Sequence, residues 1–533
     1  MLQSNFLSAA PQFDPAATDN PGSHRRQVIV ESTFVVLLIA AAFLLRLWAL
    51  SEVHFWDETV YLQNAEVICC AKANYSELDS RPPLLSLIFA AAFLLWHHVY
   101  AASVAAALLN ALGPAFLYFS GRMIAGRIAA AIAALLLAFS PFFVGVFPPG
   151  FVSDATGNSL LSDSPAVTLI VLAFWLLLRA LRRPTSLRFA SAGFVLALAV
   201  LMRFASLSTV GVLSLLVFVD VFAAAADRWW NAALACGAGF AAGMGPNLCW
   251  SRFRYGGFLT TLHRGWGNFE GPGESPFFYL KDFGNIFSWI TLAGLALWIG
   301  GWAWEKLKWK AGDGQREDRH RENHLVSAVE RTAEKRSRRI EAFLWLWAVA
   351  LLLFFSALRH KEPRYAMPLA PPLFLLAGIG LSVLVRGRQT LARIAGTALL
   401  VGALAYTFLP VRQRFESPFV DDEVSEDMQV SDFLNDNVPP ATVLYSNFNY
   451  PVFAWYTNLP VHRLPESGPA LYDALNRLPG DGILIAYKAS DEIAEPRLEW
   501  LDSNPHFRRF REFPALVLYE YRGCSGPSPC QQR

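Results

Sequence analysis

Two acidic side chains stand together in His54-Phe55-Trp56-Asp57-Glu58-Thr59-Val60-Tyr61, directly after an apolar stretch from Val28 to Leu50. Adjacent carboxylates at a membrane edge are costly to desolvate unless they have a partner or a task. In such a pair one group can act as a base while the other, or a nearby cation, adjusts its pKa. On a helical turn Tyr61, four residues on, shares a face with Asp57. A base there, facing an aqueous space, can deprotonate an acceptor hydroxyl or amine. An ordinary acidic loop start would carry the same residues, and position alone does not separate the two.

Three further groupings carry chemistry. In Leu160-Leu161-Ser162-Asp163-Ser164-Pro165, Ser162 or Asp163 ahead of Pro165 is a good helix start, and capping is compatible with a functional Asp163. Asp154 is a weaker rival. Arg359-His360-Lys361-Glu362-Pro363-Arg364-Tyr365 crowds cations between two apolar segments. Phosphate recognition uses such a set, Arg as a bidentate fork and Lys as a point charge. The plainer alternative is a snorkelling rim paired with Glu362 or with lipid head groups. Residues 250–283 set Arg252, Arg254, His263, Arg264, Glu270 and Glu274 among Gly, Trp and Phe. That mixture suits a carbohydrate-facing surface and a flexible amphipathic loop equally, with His263-Arg264 as the candidate pair.

These groups need a scaffold, and composition says which. Of 533 residues 54% are hydrophobic and only 17% charged, too few charges for a soluble surface of this size. The apolar residues fall in blocks long enough to cross a ~30 Å hydrocarbon core. A net charge of +2 argues against a nucleic-acid partner. The six cysteines, at 69, 70, 236, 249, 524 and 530, match no zinc spacing. Cys524 and Cys530 can pair in an oxidising compartment or remain thiols.

Eleven spans are expected: 28–50, 101–120, 124–144, 164–181, 188–206, 207–226, 230–249, 284–304, 340–358, 365–385 and 391–410. Residues 82–100 are ambiguous, and the positive-inside rule decides. Read as an interfacial or re-entrant helix entered through Arg81-Pro82-Pro83, this segment lets every Lys/Arg-rich linker fall inside. Those linkers include the long basic segment 305–339. The N-terminus is then cytoplasmic. The acidic loop, the turn 145–163, the loop 250–283 and the 359–364 turn all open on the outer face.

From Arg412 the composition becomes that of a water-soluble domain. A helix is expected over 424–436, ended by Pro439-Pro440. Short buried strands at Thr442–Tyr445 and Ile483–Tyr487 flank a helix at Ala470–Leu478, and Leu516–Tyr521 forms a last strand. The domains are therefore a disordered cytoplasmic tail (1–27), an all-α polytopic membrane domain (28–410) and a small extracytoplasmic α/β domain (411–533).

Asp57-Glu58-Thr59-Val60-Tyr61-Leu62-Gln63-Asn64-Ala65, then Arg81-Pro82-Pro83 and Asp163, resemble in order the GT-C membrane glycosyltransferases, closest to glycosyltransferase family 39. That group includes protein O-mannosyltransferases and lipid A aminoarabinose transferases. His360-Lys361-Glu362-Pro363-Arg364-Tyr365 is similar to the His-Lys-Glu-x-Arg-aromatic motif of lipid-linked mannosyltransferases. The resemblance covers roughly 28–410 and implies a GT-C fold. It also implies inverting transfer of a sugar from a polyprenyl-phosphate donor to a protein, lipid or glycan acceptor at the outer face of the cell membrane. By position it gives Asp57 the role of base, with Glu58 or Asp163 orienting the acceptor or holding charge. Arg364, Lys361 and His360 would bind the donor phosphate, with Tyr61, Arg81, Glu362 and Tyr365 around the substrates. Some members hold a divalent metal through such carboxylates, here Asp57/Glu58, and others do not. The basic segment 305–339 departs from the family pattern. A lipid or polyanion transporter, suggested by Arg46 and Arg203 in or near spans, and a cell-envelope scaffold are the competing classes.

Overall fold

The computed structural model describes residues 21–48, 56–70, 81–144, 160–224, 226–266, 273–310, 324–386, parts of 393–405, 422–488 and 495–523. Asp154, Cys524, Cys530, residues 1–20 and most of the expected span 391–410 lie outside them.

In chain order the elements are α1 (Pro21–Trp48), α2 (Trp56–Cys69), α3 (Pro83–Leu95), α4 (Val99–Ala125) and α5 (Arg127–Phe139). Then come α6 (Asp163–Arg182), α7 (Ser186–Met202), α8 (Ser206–Ala224), α9 (Ala226–Tyr255) and α10 (Trp289–Lys310). Helix α11 (His324–Ala357) leads through a 3-10 turn, Pro363–Leu369, into α12 (Ala370–Arg386). The remainder is α13 (Asp422–Asn437), β1 (Val443–Ser446), α14 (Tyr450–Tyr456), β2 (Val461–Arg463), α15 (Gly468–Leu475), β3 (Gly482–Tyr487), α16 (Leu498–Ser503), β4 (Phe507–Glu512) and β5 (Leu516–Tyr521).

The chain is a multi-pass membrane protein. Among the described residues five helical segments are long and apolar enough to cross: Arg25–Leu47, Val99–Ala125, Asp163–Arg182, Arg338–Ala357 and Pro363–Val385. Four more expected spans coincide with shorter apolar helices, at 127–139, 186–202, 206–215 and 289–304. Residues 21–27, expected in the disordered tail, already belong to α1. The basic segment 305–339 is helical at both ends, where α10 runs on to Lys310 and α11 begins at His324. Helix α3 has 13 residues, which at 1.5 Å each reach only ~20 Å.

Two compact units form. One comprises 1–50, 80–84 and 103–417; the other comprises 51–79, 85–102 and 418–533. The first unit packs through small residues, as lipid-embedded helices do, because only they let backbones approach. A Cβ on Gly193 of α7 would overlap the Cys236 carbonyl of α9, and one on Gly239 would overlap the Ala190 carbonyl in return. Gly380 of α12 meets Gly294 of α10 in the same way. Helices α1, α4 and α5 share an alanine-rich core around Ala42, Ala111, Ala115 and Ala130. Gly126, at φ 86°, makes the one-residue break between α4 and α5, a conformation costly for other residues.

The second unit holds the sheet, in order β2-β1-β3-β5-β4. β1 pairs in parallel with β2 and β3, while β5 is antiparallel to β3 and β4. Alternation along β3 serves two cores. Ile483, Ile485 and Tyr487 face α13 and α14, whereas Leu484 and Ala486 face α15 and α16. The expected helices and the strands β1, β3 and β5 are present within a few residues of their predicted bounds. β2 and β4 were not anticipated, since each buries only its first residue. Helix α2 belongs to this unit, packed on α14 with Trp56 edge-on to Tyr450 at 6.0 Å. The acidic stretch thus folds with the C-terminal domain's unit, a seam that an expected boundary at 410/411 did not contain. Adjacent Cys69 and Cys70 are disulfide-bonded at the end of α2.

Candidate active site

In the first unit the 359–365 turn is organised around its own carboxylate. Glu362 Oε1 accepts from Arg364 Nη2 at 3.0 Å and from the Tyr365 hydroxyl at 2.9 Å, and His360 Nε2 lies 2.9 Å away. Arg364 Nε pairs with the other oxygen. Burial pushes the Glu362 carboxyl up. The Arg364 charge and hydrogen bonds from Arg364, His360 and Tyr365 outweigh this and hold it at about 2. The Tyr279 hydroxyl donates to the Glu362 carbonyl at 3.1 Å. Burial, next to Tyr365 and Glu362, pushes that phenol well above its ordinary value, so it stays a donor.

Lys361 has a different task. It is 4% exposed, and its Nζ donates to the carbonyls of Glu274, at 3.1 Å, and Leu358. With Glu274 N donating to the Arg359 carbonyl at 3.2 Å, it straps the 250–283 loop onto the turn. Lys361, expected on phosphate, gives two of its three N–H donors to these carbonyls.

Asp163 begins α6 and pairs with Arg203, the residue that ends α7. The Arg203 guanidinium lies 5.1 Å from the Tyr365 ring centroid, a cation–π distance. Thus Asp163, Arg203, Tyr365, Glu362, Arg364 and His360 form one connected cluster, drawn from three separate stretches of sequence. Ser162 stands in the cap position but makes no side-chain cap bond. In the sequence Arg203 stands with Arg46 as a pointer to the transporter class and not to this cluster. Its signal was a lone arginine at the end of an apolar span, which in a membrane marks a buried partner.

His263 and Arg264 are exposed on the helix Thr260–Trp266. Arg264 stacks 4.6 Å over Tyr255, and among the described residues neither joins the Glu362 cluster. Arg81 is half-buried just before α3.

In the second unit Asp57 and Glu58 occupy the first turn of α2, where the helix dipole favours negative charge. Glu58 is 2% and Tyr61 5% exposed; Asp57 is half-buried. No group of three or more His, Cys, Asp or Glu side chains that could hold a metal ion occurs among the described residues.

The chain matches two ArnT-like structures and an oligosaccharyltransferase across most of its length. "ArnT from Cupriavidus metallidurans bound to undecaprenyl phosphate" superposes with a TM-score of 0.60 at 16% identity, covering 93% of this chain and 100% of that one. The fold is the GT-C fold. The Archaeoglobus fulgidus oligosaccharyltransferase tethered to an acceptor peptide matches at TM-score 0.53 and 13% identity, over 86% of this chain and 69% of that one. The Alg9-like mannosyltransferase family model matches residues 287–452, a span that contains the 359–365 turn. Among curated proteins, the undecaprenyl phosphate-alpha-4-amino-4-deoxy-L-arabinose arabinosyl transferase of Pseudomonas aeruginosa LESB58 is 42% identical over 106 residues. Its Pseudomonas paraeruginosa PA7 counterpart is 40% identical over 105. The matched stretch is 18% of this chain and spans only 19% of those relatives' length.

Proposed function

We propose that this GT-C protein is an inverting glycosyltransferase. It moves a sugar from a polyprenyl-phosphate donor to a protein, lipid or glycan acceptor at the outer face of the cell membrane. The observation that carries this reading is the conjunction of the fold with the half-buried cation-carboxylate cluster at the 359–365 turn. Asp57 takes the proton from the acceptor hydroxyl or amine as that group attacks the anomeric carbon. The bond to the phosphate oxygen breaks on the opposite face, and configuration inverts. Glu58, buried beside Asp57 in sequence, holds charge at the helix start, and Tyr61 shares the Asp57 face.

The leaving lipid phosphate gains negative charge as the bond breaks, and fixed cations there stabilise the transition state. Arg364 and His360 supply this role, with Glu362 fixing their geometry beforehand and Arg81 a further cation for the same group. An apolar cleft of about 530 Å³, lined by Trp289, Ile290, Leu381 and Leu384, suits a prenyl chain. The Cys69–Cys70 disulfide supports placing α2 in an oxidising, non-cytosolic compartment. The cytoplasmic N-terminus and outward C-terminal domain belong to the same proposal.

The test is transfer from undecaprenyl-phosphate sugars by purified protein. Asp57→Asn is expected to lower kcat by ~10²–10⁴, and Arg364→Ala by ~10²–10³. Near wild-type turnover in both removes the mechanism. The competing transporter class loses one of its two supports, because Arg203 is accounted for by Asp163.

A further inference from the structure

Arg46, in the last turn of α1, is 1% exposed. Its Nη1 donates to the Ala42 carbonyl at 2.8 Å, within its own helix, and its Nε has no partner. Its neighbour Leu45 packs with Val144 and Phe139, an apolar setting. The half-buried arginines of the cluster around Glu362 offer a contrast. Arg203 has Asp163 and Arg364 has Glu362, whereas no carboxylate pairs with Arg46 among the described residues.

A guanidinium removed from water needs an opposite charge, and one helix carbonyl with the negative end of a helix dipole supplies only part of it. Ionisable groups inside membrane helices mark sites for that reason. From these observations we infer that Arg46 is the anchor of an anion site that takes a lipid-borne phosphate. The chemistry selects this class twice over. The fork of N–H donors matches phosphate oxygens, and an anion that reaches a 1% exposed side chain within a membrane span must arrive on an apolar carrier. The phosphate belongs either to the polyprenyl donor or to a bilayer phospholipid. The first source rests on the transferase reading; the second does not.

Binding distinguishes the sources without requiring turnover. Affinities of the purified full chain for undecaprenyl phosphate and, separately, phosphatidylglycerol are measured for wild type, Arg46→Met, Arg46→Gln and Arg46→Lys. Removing an unpaired buried charge leaves the fold intact, so Arg46→Met is expected to melt at or above the wild-type temperature. At the same time it loses about tenfold or more in affinity for one of the two lipids, with Arg46→Lys intermediate. Loss confined to undecaprenyl phosphate assigns the donor, and loss confined to phosphatidylglycerol assigns a structural lipid. Should Arg46→Met and Arg46→Gln both bind both lipids as wild type does, the site does not exist. Because Asp57 variants are scored by transfer and Arg46 variants by binding, the two ideas fail separately.

Discussion

At the scale of single residues, Glu362 governs the turn that the sequence presented as a row of cations. Its carboxyl is held at about 2, below the ~4.3 of an unfolded chain. A depressed folded-state pKa contributes stability that is complete above the unfolded value and is lost as pH falls through the folded one. Melting temperature in detergent should therefore fall for wild type between about pH 5 and pH 2, and Glu362→Gln should flatten that fall while lowering the neutral-pH value. The Asp163–Arg203 pair obeys a second rule, that breaking one partner of a buried pair costs more than removing both. Arg203→Gln is expected to destabilise by about 3–5 kcal/mol, with Asp163→Asn/Arg203→Gln recovering most of it in a double-mutant cycle. Additive losses would mean that the two side chains do not depend on each other. Asp163 and the 360–365 motif were legible as residue types. Arg203 was not, because nothing in its neighbours' identities announces a partner forty positions away (residues 163 and 203).

At the scale of elements, small residues decide which helices touch. Gly193 and Gly239 allow α7 and α9 to approach backbone to backbone. Gly193→Leu, at a site with no room, is expected to cost about 1–3 kcal/mol of overpacking, read as a lower melting temperature. The same change at Gly237, where an added Cβ meets nothing, should be near neutral. Equal effects at both would contradict the close crossing. Hydropathy located these helices well, since apolar runs are imposed by lipid. It missed β2 and β4 because edge strands need bury only one side of one end, leaving no alternation to read. The strap made by Lys361 was equally hidden. A lysine that donates to backbone carbonyls has the same sequence appearance as one that binds phosphate.

For the molecule as a whole, the polytopic membrane class was readable from composition, and the GT-C fold was what the resemblance of the ordered motifs implied. The grouping of residues 51–79 and 85–102 with 418–533 was not. It depends on the packing of α2 against α14, a contact between stretches nearly four hundred residues apart that no local pattern encodes. The proposed function requires the carboxylate of α2 and the cations of the 359–365 turn to serve one reaction. The most direct measurement is sugar transfer from an undecaprenyl-phosphate donor by wild type, Asp57→Asn and Arg364→Ala, following released undecaprenyl phosphate and glycosylated acceptor together. Equal amounts of both products from wild type, and loss of both by ~10² or more in each variant, are predicted. Undiminished product from Asp57→Asn, or donor movement across vesicles with no covalent product, would contradict it.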